Sequence, residues 1–168
     1  NNLQVAKKLY KEILKTNPNF AGAHNNLGNV LHELGEFQKA ISCCEKAIQI
    51  NPNFAGTHNN LGLIFKELGE FQKAVSFYEK AIQIQPNFVD AHNNLGAVYF
   101  ELGEHQKALS CYKKVIQIEP NNLTSHWLSM NTFPIIYKNL KEIDLYRKKF
   151  EDDTKKINYL LDTQYQYT

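Results

Sequence analysis

Six histidines are the first residues in this chain that invite a chemical reading. Three of them, His24, His58 and His92, stand 34 residues apart. A shared zinc ion would need their nitrogens ~2 Å from one point. Side chains that recur once per 34 residues belong to separate elements, and helices pack ~8–10 Å apart with others between them. The row is therefore expected to pack between helices, and no metal site is expected. Ser42, Ser76 and Ser110 recur with the same period but lack the strand-to-helix turn that exposes a nucleophile. Glu33, Glu67 and Glu101 also recur, so they are expected as solvated helix-end charges. No glycine-rich turn followed by Lys-Ser or Lys-Thr offers a phosphate cradle. No cofactor and no catalytic site is expected in residues 1–168, and the chain is not read as an enzyme.

The asparagines are different. Pairs recur at Asn25-Asn26, Asn59-Asn60 and Asn93-Asn94. A carboxamide offers two donors and an acceptor group with two lone pairs. That set matches a peptide amide, so a row of asparagines could hold an extended backbone without reading its side chains. The same groups could also cap turns or bond across repeats, and for Asn25, Asn59 and Asn93 both tasks stay open.

The elements that must position these residues follow from self-similarity. Prolines fall at Pro18, Pro52, Pro86 and Pro120, and His-Asn-Asn-Leu-Gly begins at His24, His58 and His92. Glu-Leu-Gly-Glu recurs at Glu33, Glu67 and Glu101. Three full units follow, 21–54, 55–88 and 89–122, with 1–20 as a half unit. In the second unit a first helix is expected over 55–68, with Leu61, Ile64, Phe65 and Leu68 at helical spacing. Gly69 supplies a left-handed stop. A second helix is expected over 71–84, with Ala74, Phe77, Tyr78, Ala81 and Ile82 on its apolar face, ended by Pro86. Gly62 and Ala74 allow the two helices to approach, and Ala81 makes room for the next unit. One unit cannot bury its apolar faces alone, so neighbours must stack.

Leu61, Gly62, Phe65, Gly69, Ala74, Tyr78, Ala81 and Pro86 resemble the tetratricopeptide-repeat (TPR) pattern, whose usual tryptophan is here His24, His58 and His92. Cys44 stands in place of the second helix's aromatic residue in the first unit, and Val115 in place of its small alanine in the third. The resemblance implies an all-α fold, a right-handed superhelical solenoid of antiparallel helix pairs with the first helix of each pair on the concave face. It implies a scaffold that binds protein or extended peptide there. The implied groove positions are Gly22, Asn25, Asn26, Asn29 and His32 in the first unit. The second gives Gly56, Asn59, Asn60, Leu63 and Lys66, and the third Asp90, Asn93, Asn94, Ala97 and Phe100. Asn26, Asn60 and Asn94 would form a ladder like the one in the TPR region of O-linked N-acetylglucosamine transferases. Only Lys66 is clearly cationic among these positions, too few for a carboxylate clamp.

The pattern fades after Asn122. Thr124–Asn131 begin like a further first helix, but Trp127 and Met130 depart from the repeat. Residues 123–168 are read as divergent capping helices or a linker. Asn139 and Glu142 signal a helix start, and Leu140, Ile143, Phe150, Ile157 and Leu161 give an apolar stripe. Pro134, Tyr137, Glu142-Ile143, Arg147 and Phe150 resemble the join between array and catalytic domain in bacterial O-linked N-acetylglucosamine transferase-like proteins. That resemblance implies the substrate-recruiting part of a glycosyltransferase.

Bulk properties exclude other classes. A net charge of +2 does not suggest nucleic acid or a membrane surface as the partner. A hydrophobic content of 43% supports a packed core. No apolar run approaches the ~18–20 residues of a membrane span. Cys43, Cys44 and Cys111 are an odd number without framework spacing, which fits a reducing compartment and a cytoplasmic location. The chain opens inside the periodic pattern, as a fragment would, and the half unit 1–20 could pair with a second copy to give a homo-oligomer.

Overall fold

A computed structural model describes residues 2–132 and 140–165. Among these residues the secondary structure is helical throughout, in the order α1 Asn2–Thr16, α2 Ala21–Glu33, α3 Phe37–Ile50, α4 Ala55–Glu67, α5 Phe71–Ile84, α6 Val89–Glu101, α7 His105–Ile118, α8 Leu123–Asn131 and α9 Leu140–Tyr165. The chain divides into two compact units, residues 1–94 and 95–168.

In the first unit α2 with α3 and α4 with α5 form antiparallel hairpins. The turn between them is built identically each time. Gly35 and Gly69 each adopt φ of 73°, a left-handed conformation that costs residues with a Cβ. This lets Glu36 N–H reach back to the Leu31 carbonyl and Glu70 N–H to that of Phe65, both at 2.8 Å. That is the hydrogen bond of a Schellman stop, and it satisfies a helix-end carbonyl. The glutamate that follows accepts the first bond of the next helix on its backbone oxygen, from Ala40 at 3.0 Å and from Ala74 at 3.1 Å. Its side chain pairs with the lysine three residues on, Glu36 with Lys39 and Glu70 with Lys73.

Small residues face large ones inside each hairpin. A Cβ on Gly62 would lie 2.5 Å from Tyr78 Cε1, and Tyr78 is fully buried. A Cβ on Gly28 would lie 2.6 Å from Cys44 Sγ. Ala40, Cys44 and Ala47 are fully buried, as are Ala74, Tyr78 and Ala81 one repeat later. Burial raises the Cys44 thiol to about 12, with Cys43 and Glu45 adding to it. The Leu61 and Ile64 side chains are buried as the spacing requires, but Leu68 is more than one-third exposed, because it lies in the turn beyond the last helical residue.

α1 packs on α2, and Lys7 pairs with Glu36 in the turn between α2 and α3. The equivalent of Ala47 and Ala81 in α1 is Ile13, and it is exposed. Val5 and Leu9 beside it are 58% and 59% exposed. Among the described residues, nothing covers this apolar row of α1.

The second unit repeats the design. Gly103 has φ of 74°, Glu104 N–H bonds the Tyr99 carbonyl at 2.8 Å, and Gly96 faces Tyr112. α8 packs on α7, and α9 packs on α8. Asn122 caps α8 by accepting from Ser125 N–H at 2.9 Å. Along α9, Ile143 and Ile157 are half-buried, whereas Phe150 and Leu161 are exposed. The expected stripe is thus covered only in part. Asn139, Pro134 and Tyr137 lie outside the described residues.

Candidate functional site

The histidines hold the turns between repeats. His24, His58 and His92 Nε2 meet the carbonyls of Pro18, Pro52 and Pro86 at 2.9, 3.0 and 2.9 Å. His126 does the same with Pro120 at 2.8 Å. A carbonyl only accepts, so each Nε2 carries the proton and donates. The bond ties the start of one repeat to the proline that ended the last. His126 extends the device into α8, where the sequence pattern otherwise fades. Among the described residues no group of three His, Cys, Asp or Glu could hold a metal ion. No helix of the described residues is long and apolar enough to cross a membrane.

The asparagine pairs divide their labour. Asn25 is buried on α2. Its Oδ1 accepts from Asn60 Nδ2 at 2.8 Å and from Thr57 Oγ1 at 2.9 Å, both on α4. Its Nδ2 donates to Asn26 Oδ1 at 3.2 Å. One repeat later Asn59 is buried and accepts from Asn94 Nδ2 at 3.0 Å. The position of Thr57 is there taken by Ala91, which has no hydroxyl to donate, so Asn59 Oδ1 accepts from Asn94 where Asn25 Oδ1 accepts from both Thr57 and Asn60. In the first two pairs the first asparagine is thus a fixed acceptor between successive first helices. This is the inter-repeat bonding left open for Asn25 and Asn59.

The second asparagine of each pair reaches the surface. Asn26 is exposed, and Asn60 and Asn94 are half-buried. Asn60 and Asn94 each spend one N–H on the partner below, which fixes the carboxamide and leaves its Oδ1 and second N–H without a partner among the described residues. Asn29, Leu63, Lys66 and Asn93 are also half-buried on the first helices. His32 Nε2 lies 3.0 Å from Glu67 Oε1 of the next repeat. On α6, Phe100 is 44% exposed and its ring meets His105 edge-on at 5.3 Å.

Sequence reasoning passed over one cluster. Trp127, on α8, is 60% exposed and lines a cavity of about 300 Å³ with Phe100, Glu101, Leu128 and Asn131. By register Trp127 and Leu128 occupy the places of Asn59 and Asn60. The loss of the asparagine pair at that register was the available signal.

Comparisons with known proteins bear on the fold. Family patterns described as Tetratricopeptide repeat match residues 21–54 and 89–122, and another of that description matches 43–76. A pattern described as TPR repeat matches 62–103. Together they run from 21 to 122, more than half of the chain. No curated protein sequence matches it. Among solved structures, MamA is similar at a TM-score of 0.83 and 25% identity, over 98% of this chain and 92% of that one. The first TPR of Spaghetti (RPAP3), bound to an HSP90 peptide, gives 0.64 and 24% over 67% of this chain and 89% of that one. YrrB, described as having an unusual peptide-binding site, gives 0.70 and 20% over 95% and 78%. These likenesses show an all-α solenoid of helix pairs.

Proposed function

The chain belongs to the tetratricopeptide-repeat family, and we propose that it is a non-catalytic scaffold holding an extended peptide on the first helices of its repeats. One observation carries this reading. Asn60 and Asn94 are each clamped by a buried asparagine, with an acceptor and a donor left over. A clamped carboxamide loses little further freedom when a peptide amide pairs with it. Asn26 begins the same row, Asn29, Leu63, Lys66 and Asn93 flank it as secondary contacts, and the repeat pattern adds Phe100 as a further contact. Asn25 and Asn59 act through the second asparagines rather than by touching peptide. The peptide-bound Spaghetti domain and the peptide-binding site named for YrrB give the reading support from similar folds. The test compares binding of extended peptides to the wild type and to Asn26/Asn60/Asn94→Ala. Equal affinity would remove the ladder.

A second reading is self-association through α1. Val5, Leu9 and Ile13 form an exposed apolar row, while the residues at Ile13's place in the next two repeats are fully buried. Light scattering across concentrations tests it, and a monomer throughout would end it. The glycosyltransferase reading rests on the motif around Arg147 and Phe150 alone. Reading the gene past Thr168 decides it, and a stop codon there would remove it.

A further inference from the structure

The uncovered row of α1 carries its own charge pattern. Val5, Leu9 and Ile13 recur at every fourth residue, so they share one face of the helix with Leu9 at its centre. At about 100° per residue, Glu12 and Lys8 fall on the same flank of that row, about 60° and 100° from Leu9. The other flank holds Ala6 and Tyr10, which are uncharged and half-buried. Lys11 and Lys15 lie farther round the helix, about 160° and 120° from Leu9. Lys8 is exposed and makes no ion pair among the described residues. Glu12 accepts from Lys15 Nζ at 2.7 Å on Oε1, and both side chains are exposed. A carboxylate has about four lone-pair sites, so that one bond leaves room for another donor.

We propose that the chain forms a two-fold dimer in which α1 packs antiparallel on α1 of a second copy, with reciprocal Lys8–Glu12 pairs setting the register. The inference rests on the self-association reading and names the occupant of the row and its direction. With the two-fold axis at Leu9, Val5 of each copy meets Ile13 of the other, and the two Leu9 side chains meet on the axis. An antiparallel two-fold keeps each flank on its own side of the contact. Lys8 of one copy therefore comes beside Glu12 of the other, and the symmetry makes the pair twice. The two are offset by about 3 Å along the helix, which a lysine side chain spans. A parallel pair would set the charged flank against Ala6 and Tyr10 and leave Lys8 and Glu12 apart. The contact uses the same patch on both copies, so it closes at two. α1 has 15 residues and is about 22 Å long, so a contact confined to it stands at the low end of protein interfaces and the dimer dissociates readily.

The experiment follows the dimer of the full chain by sedimentation equilibrium across concentrations. Lys8→Glu and Glu12→Lys should each weaken it about tenfold, because both cross-copy pairs then become like charges. Mixing the two variants should restore it to about the wild-type strength, since one copy then presents two acidic groups and the other two basic ones. No change within a single helix can produce that recovery. The differences should shrink as salt rises. Both positions are exposed, and circular dichroism should show the helix content of each variant unchanged. A dimer that the single changes leave alone, or that the mixture does not restore, would overturn this pairing and leave self-association through α1 standing. A wild type that stays monomeric throughout would overturn both.

Discussion

Asn25→Ala should destabilise the array more than the same change one repeat later. The Asn25 Oδ1 accepts two bonds, from Thr57 at 2.9 Å and Asn60 at 2.8 Å. Each is worth about 1 kcal/mol net. Thr57 is fully buried, so its hydroxyl would be left without water, at a further ~1–3 kcal/mol. Asn60 is half-buried and can rehydrate. The expected loss is therefore about 3–5 kcal/mol. At Asn59 one bond is lost, from half-buried Asn94, and Ala91 has no hydroxyl to strand. There the loss should be about 1 kcal/mol. Urea unfolding of the full chain, followed by circular dichroism, measures both. A cycle with Thr57→Ala isolates the buried bond, and a coupling energy of about 1 kcal/mol or more is expected because the double variant strands nothing. Equal losses at Asn25 and Asn59, or zero coupling with Thr57, would refute the reasoning.

Gly62→Ala places a Cβ within 2.5–2.8 Å of three Tyr78 ring atoms, so its cost of overpacking should exceed the ~1 kcal/mol helix preference of alanine. Gly56→Ala meets only ordinary contact with Phe54 at 3.5 Å and should be neutral or stabilising; thermal unfolding of the two variants checks the contrast. Lys39, then Lys7, hold the Glu36 carboxyl down from an ordinary 4.5 to about 2. A depressed folded value means the contribution is fully present above 4.5 and is lost as pH falls towards 2. Midpoints measured across that window should fall less steeply for Glu36→Gln than for the wild type. Cys44 is buried with its thiol raised to about 12, whereas Cys43 and Cys111 are half-buried. Mass spectrometry after alkylation of the native protein should find Cys44 modified last.

The sequence by itself determined the repeat and most helix ends. Pro52 and Pro86 stop helices because the ring fixes φ and removes a donor, and Gly35, Gly69 and Gly103 stop them because left-handed φ excludes a Cβ cheaply. Such rules act within a few residues, so a periodic sequence states them legibly. The pairing of Gly62 with Tyr78 could be read as well, since both lie in one hairpin of fixed register. What tertiary structure decided was the use of the polar residues. Asn25 and Asn26 are neighbours on one helix, about 100° apart in direction, and nothing in their identity says which one meets the next repeat. The stacking of α2 against α4 makes that choice, because it brings Thr57 and Asn60, more than 30 residues away, onto Asn25 Oδ1. The same holds for Trp127. In sequence it is a departure from the pattern, and only its place beside Phe100 and Glu101 turns that departure into a pocket.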